Sequence, residues 1–218
     1  MQSLGKWLTH SLTEVPNFTE EQWAEQNRRA EQWEQERKAE KINARIDAAR
    51  IPVRYRSAIE PYPGVIEWAI EPTVGLLIQG MVGRGKTHQA CLALMKQAEN
   101  GTALFATFDD LLRECRATFN NQNTEEAVIT RYSSVGMLCI DDMGKERVTE
   151  WSIPIIFAII DKRYANMKPT IVTTQYRGEQ LLQRLTVDGD SETARVIISR
   201  LTSYKRITIE GKDWRRNG

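Results

Sequence analysis

The chain has 218 residues, 30 of them Lys or Arg and 29 Asp or Glu, for a formal net charge of +1. So small a net charge excludes nucleic-acid binding through a global basic field, though not through a local patch. Apolar residues make up 41 %, enough for one core domain plus an appendage.

No apolar run approaches the roughly 18 residues of a membrane span, and the N-terminus lacks the long apolar core of a secretory signal. Cys91, Cys115 and Cys139 are scattered, with neither CxxC spacing nor a His cluster to hold zinc. The expectation is a soluble cytoplasmic protein.

Leu4, Trp7, Leu8 and Leu12 suit a short first helix. Residues 19–50 contain no Gly or Pro and are rich in Glu, Gln, Arg, Lys and Ala. Thr19 with Gln22 three places on forms a capping box. Trp23, Ala30, Trp33, Ile42, Ile46 and Ala49 recur at roughly helical spacing, and Pro52 stops the helix. One reading is a solvated helix or short coiled coil. The other is a partner-binding element, because two Trp on a charged helix are costly to leave wet.

Residues 51–73, with Pro61, Pro63, Gly64 and Pro72, read as a linker or irregular entry to a core over 74–218. In that core, strands are expected at 74–79, 102–108, 135–140, 169–174 and 206–210. Helices are expected at 87–99, 109–119 (with Asp109 as cap), 151–165, 178–185 and 192–202. A polar stretch is expected around 120–124. Alternation with unbroken apolar strands predicts an α/β fold, a parallel sheet covered on both faces.

Gly80-Met-Val-Gly-Arg-Gly-Lys-Thr87 matches G-x-x-x-x-G-K-[ST] between a buried strand and a helix. Gly80, Met81, Val82, Gly83, Arg84, Gly85, Lys86, Thr87 and the adjoining His88 are the candidate nucleotide-binding residues. Backbone N–H groups would face phosphate oxygens, Lys86 the β- and γ-phosphates, and Thr87 a Mg²⁺ ion.

Met137-Leu-Cys-Ile-Asp-Asp142 ends an apolar strand in two acids, where parallel sheets place their ligands. Asp141 would hold Mg²⁺ through water and Asp142 would polarise the attacking water. Gln175, after Pro169–Thr174, is either a γ-phosphate or water contact or a satisfied surface amide. Arg200, and equally Arg195, is either a phosphoryl-stabilising group projecting to a neighbouring subunit or a surface salt bridge.

Several segments occur together: Ile51-Pro-Val-Arg-Tyr-Arg56, the phosphate loop, Phe108-Asp-Asp-Leu-Leu-Arg113 and Cys139-Ile-Asp-Asp-Met-Gly-Lys-Glu146. Ile160-Asp-Lys-Arg-Tyr164, leading into Pro169–Thr174, and Ile198-Ser-Arg-Leu201 complete the set. The combination resembles the helicase-loader branch of the AAA+ ATPases, the DnaC and DnaI proteins and the transposon protein IstB, over roughly Ile51 to Arg216.

The resemblance implies a five-stranded AAA+ core, ATP rather than GTP, and hydrolysis. It makes Gln175 the first sensor, where the family more often has Asn, and Arg200 an arginine finger acting across a subunit interface in a homo-oligomer. It places single-stranded DNA near Asp109–Tyr132, with Arg113, Arg116 and Arg131 as phosphate contacts, and a hexameric replicative helicase on the helical region 1–50. Only Gly211–Gly218 follow the last strand, so a C-terminal lid is not expected. The alternatives are an IstB-like transposition ATPase on duplex DNA and a small-molecule kinase, for which no substrate-pocket signal is visible.

Overall fold

The computed structural model describes residues 19–57, 59–72, 74–118 and 122–211; the helix expected around Leu4–Leu12 lies outside them. The chain divides into two units between Lys41 and Ile42. Helix α1 (Glu20–Ala48) starts as its capping box dictates: the Thr19 N–H donates to Gln22 Oε1 at 2.9 Å and the Gln22 N–H to Thr19 Oγ1 at 3.3 Å. No residue of α1 is buried, and Trp23 and Trp33 are 48 % and 69 % exposed.

Within the second unit, a 3-10 turn (Val53–Tyr55) and α2 (Val65–Ile70) precede β1 (Leu76–Gln79) and α3 (Lys86–Ala98). Next come β2 (Ala103–Thr107), α4 (Phe108–Ala117), α5 (Gln122–Ser134) and β3 (Met137–Asp141). The chain continues through α6 (Ser152–Ala165), β4 (Thr170–Thr174), α7 (Glu179–Leu185), α8 (Glu192–Thr202) and β5 (Lys205–Thr208). The five strands are all parallel, in the order β2-β3-β4-β1-β5.

Strand alternation divides the core in two. Leu76, Ile78, Phe105, Cys139 and Ile171 pack with α2 and α3 on one face; Leu77, Leu104, Ala106, Leu138, Ile140 and Val172 pack with α4–α8 on the other. Each fully buried Leu or Ile contributes about 1.5–3 kcal/mol, which is why strands apolar on both faces settle in the sheet's middle.

Three local readings change. The entry segment is not irregular throughout: Val65, Trp68 and Ala69 form the buried stripe of α2, and the Trp68 indole N–H donates to the Val74 carbonyl. Helix α4 is capped by Thr107, whose hydroxyl accepts from the Asp110 N–H at 3.0 Å, rather than by Asp109. Of the polar stretch expected around 120–124, residues 122–124 belong to α5, which buries Val128 and Tyr132. All three cysteines are free and buried, and no helix among the described residues is long and apolar enough to cross a membrane.

Candidate nucleotide site

The site lies where β1, β3 and β4 end. Beyond Gln79 the chain turns at Gly80, φ 156°, where a Cβ would stand 2.6 Å from the Ile209 carbonyl oxygen. The Ile209 N–H donates to the Gln79 carbonyl at 2.7 Å, so β5 presses on the root of the loop. Gly83 and Gly85 adopt left-handed φ values of 80° and 81°, and α3 opens directly after Gly85. Successive N–H groups thus converge at a helix N-terminus, a cradle for anions. Lys86 is buried and its Nζ donates to the Met81 carbonyl at 3.0 Å, bridging the loop.

Thr87 stands one residue into α3 and faces the end of β3. Its hydroxyl donates to both oxygens of Asp141, at 3.1 and 2.9 Å. Asp141 also accepts from the Thr173 hydroxyl at 2.6 Å. Burial pushes the Asp141 carboxyl up to about 6, the Thr173 hydroxyl opposes the rise, and the neighbouring Asp142 adds to it. A buried acid that resists ionisation, paired with a hydroxyl beside an anion cradle, suits a divalent cation held with phosphate oxygens. These residues therefore fit Mg²⁺ with a nucleoside triphosphate.

Asp142 is half-buried, in the left-handed region at φ 57°, with its N–H donating to Thr173 Oγ1 at 2.9 Å. Its carboxylate lies 3.8 Å from Lys145 Nζ. Gln175 is half-buried at the tip of β4, and its side-chain amide has no hydrogen-bond partner among the described residues. Water activation is the role expected of Asp142, and the family resemblance implies a sensor role for Gln175.

The structure does not bring every predicted residue to the loop. The His88 ring turns to the entry segment, Nε2 3.4 Å from Ser57 Oγ and edge-on to Tyr55 at 5.0 Å, with burial lowering its pKa. Arg200 lies on α8, across the sheet from α3; its Nε and Nη2 donate to Asp161 Oδ1 at 3.0 and 2.7 Å, and its guanidinium covers Tyr164. Arg195 Nε donates to Ser191 Oγ, at the N-cap of its own helix. Arg113 pairs with Asp109 and Arg131 with Glu114, while Arg116 is exposed.

Two groups escaped the sequence reading. Thr173 joins both acids; its only signal was a hydroxyl in an apolar strand. Gln89 staples the entry segment to α3, donating to the Glu60 carbonyl at 2.8 Å and accepting from the Tyr62 N–H at 2.8 Å.

Residues 66–217 match the sequence pattern of the family described as IstB-like ATP binding protein. The chain belongs to that family. Among curated relatives, the replicative helicase loader DnaC of Buchnera aphidicola subsp. Baizongia pistaciae is 32 % identical over 111 residues, 49 % of this chain and 45 % of that one. DnaC of Escherichia coli K12 is 28 % identical over 134 residues, 60 % and 51 % of the two chains. This family member thus spans about half the length of the curated relatives it matches.

A crystal structure of the DnaC helicase loader shares the fold with a TM-score of 0.58 at 23 % identity, covering 73 % of this chain and 100 % of that one. AMPPCP-bound DnaA from Aquifex aeolicus shares it with a TM-score of 0.61 at 21 % identity, covering 76 % and 53 %. The α/β fold is the one these DnaC and DnaA structures share.

Proposed function

We propose that this chain is an ATP-dependent helicase loader of the DnaC type, which binds ATP, Mg²⁺ and single-stranded DNA in the cytoplasm and delivers a hexameric replicative helicase to DNA. The observation that carries the nucleotide half is the Thr87–Asp141 pair beside the Gly80–Thr87 cradle. The helicase half is supported by relatives that are themselves replicative helicase loaders.

ATP and Mg²⁺, when bound, supply a phosphoanhydride and the charge that screens it. The chain's own residues divide the remaining work. The loop N–H groups and Lys86 bind phosphate oxygens, Thr87 and Asp141 hold the cation, and Asp142 takes a proton from the attacking water at its carboxylate. Gln175 orients that water or the γ-phosphate. Arg200 serves a neighbouring copy in an oligomer, where it stabilises charge on the transferring group.

The region 1–50 is assigned to the helicase, and the exposed face of α4 and α5, with Arg116, to single-stranded DNA. A second reading, an ATPase that assists a transposase on duplex DNA, is favoured by the family's IstB-like description. Affinity capture with the full chain separates them. Loading predicts a co-isolated hexameric helicase that ATP releases. A transposase partner and filaments on duplex DNA, with no helicase, would replace it by the second reading.

A further inference from the structure

We infer that Arg184 is a positioning residue for ATP hydrolysis: from α7 it clamps the turn that carries Asp142 against the segment following Gln175. The inference rests on the ATPase reading above and deepens it.

The turn Asp142–Lys145 leaves the sheet directly after β3. Strand β4 holds its first half. The Met143 N–H donates to the Thr173 carbonyl at 2.8 Å, and the Thr174 hydroxyl donates to the Met143 carbonyl at 2.7 Å. The second half has no strand beside it, and there Arg184 acts. Its Nε donates to the Gly144 carbonyl at 2.6 Å, and its Nη2 to the Lys145 carbonyl.

Gly144 has φ 85°, and a Cβ there would lie 2.7 Å from Leu181 Cδ1, so the turn approaches α7 as closely as backbone can. The Arg184 guanidinium also covers the Tyr176 ring, 5.3 Å from its centroid. Tyr176 is fixed in turn, its carbonyl accepting from Gln79 Nε2 at 3.0 Å. One side chain therefore joins the turn after Asp141 to the segment after β4.

Several features point to positioning. Arg184 forms no ion pair with a carboxylate among the described residues. Its planar fork meets two successive carbonyls, which a lysine's point charge cannot match. A non-glycine residue in left-handed φ, as Asp142 is, persists only where its surroundings hold it. The clamp also sets where Lys145 stands relative to the Asp142 carboxylate. Among the described residues Arg184 makes no hydrogen bond to Gly80–Thr87.

The test uses the full chain as wild type, Arg184→Met, Arg184→Lys, Asp142→Asn and the Arg184→Met/Asp142→Asn double variant. Affinity for a fluorescent ATP analogue and steady-state hydrolysis are measured at protein concentrations where wild-type turnover no longer rises. Arg184→Met should lower kcat about ten- to a hundredfold, the scale of a small displacement of a reacting group. Its nucleotide affinity should stay within about twofold of wild type. Arg184→Lys should recover only part of the loss, and it carries the test alone if the Met variant does not fold.

The double variant should be no slower than Asp142→Asn alone, because both losses act through one carboxylate. Unchanged kcat, a parallel loss of affinity, or multiplying losses in the double variant would overturn the inference. A wild type that hydrolyses no ATP would overturn the ATPase reading itself, and the inference with it.

Discussion

Replacing Asp141 by Asn should make the nucleotide-free protein more stable at neutral pH while abolishing its response to Mg²⁺ and ATP. Asp141 is 4 % exposed, and burial is the main reason its carboxyl is pushed up from 3.8 to about 6. Between those values the folded chain holds a proton that the unfolded chain has released. Stability therefore falls as pH rises through that window, and the full cost is present above about pH 6. A gap of about two pH units corresponds to about 3 kcal/mol.

Asn removes that charge yet keeps an acceptor for the Thr173 hydroxyl and offers an N–H to Thr87, so the hydrogen bonds survive. In a chain of this size each kcal/mol moves the melting midpoint about 2–4 °C, so Asp141→Asn should melt about 6–12 °C above wild type at neutral pH. At about pH 4, where the wild-type carboxyl is protonated in the fold, the gain should vanish. Thermal unfolding at both pH values, with and without Mg²⁺ and ATP, makes the measurement. The ligands should raise the wild-type midpoint and leave the variant's unmoved. A variant that melts at or below wild type at neutral pH would refute the reasoning, because Asp141 would then carry no desolvation cost.

Arg163 is wholly buried, donating to Thr170 Oγ1 and to the carbonyls of Tyr132, Ser133, Val135, Gly136 and Pro169, and burial lowers its pKa to about 10. Arg163→Met should cost about 3–5 kcal/mol in chemical denaturation. It should not change nucleotide affinity, since those carbonyls lie at the opposite strand ends. Gly80→Ala should cost about 1–3 kcal/mol and weaken nucleotide binding, read by melting and titration, because its Cβ meets backbone. Lys86→Ala should abolish nucleotide binding, whereas Asp142→Asn should keep binding and lose hydrolysis, both read by titration beside turnover. Arg200→Ala should reduce hydrolysis with little effect on affinity. Mixed with Lys86→Ala it should regain part of its turnover; strictly additive mixtures would remove the role across subunits.

What the sequence determined by itself was local. The capping box of Thr19 and Gln22, the strand–loop–helix around Gly80–Thr87 and the apolar strand ending in Asp141 and Asp142 are each specified within a few consecutive residues. Their period, turn chemistry and charge placement are therefore readable along the chain. The tertiary structure decided what depends on residues far apart. Helix α2 exists because Val65, Trp68 and Ala69 find α3 and the sheet, overriding the prolines before them.

Thr173 became a site residue only when β4 paired beside β3, 31 to 32 positions from the acids it bridges. Arg184 and Arg163 gained their roles from backbone carbonyls, which carry no side-chain signal and are brought within reach only by the packed helices. The sequence left Arg200 open between a phosphoryl-stabilising group and a surface salt bridge; its present partner, Asp161, was fixed only by α8 lying against α6. Hydrogen bonds to backbone and pairings across the sheet depend on distance in space, and only packing sets that distance.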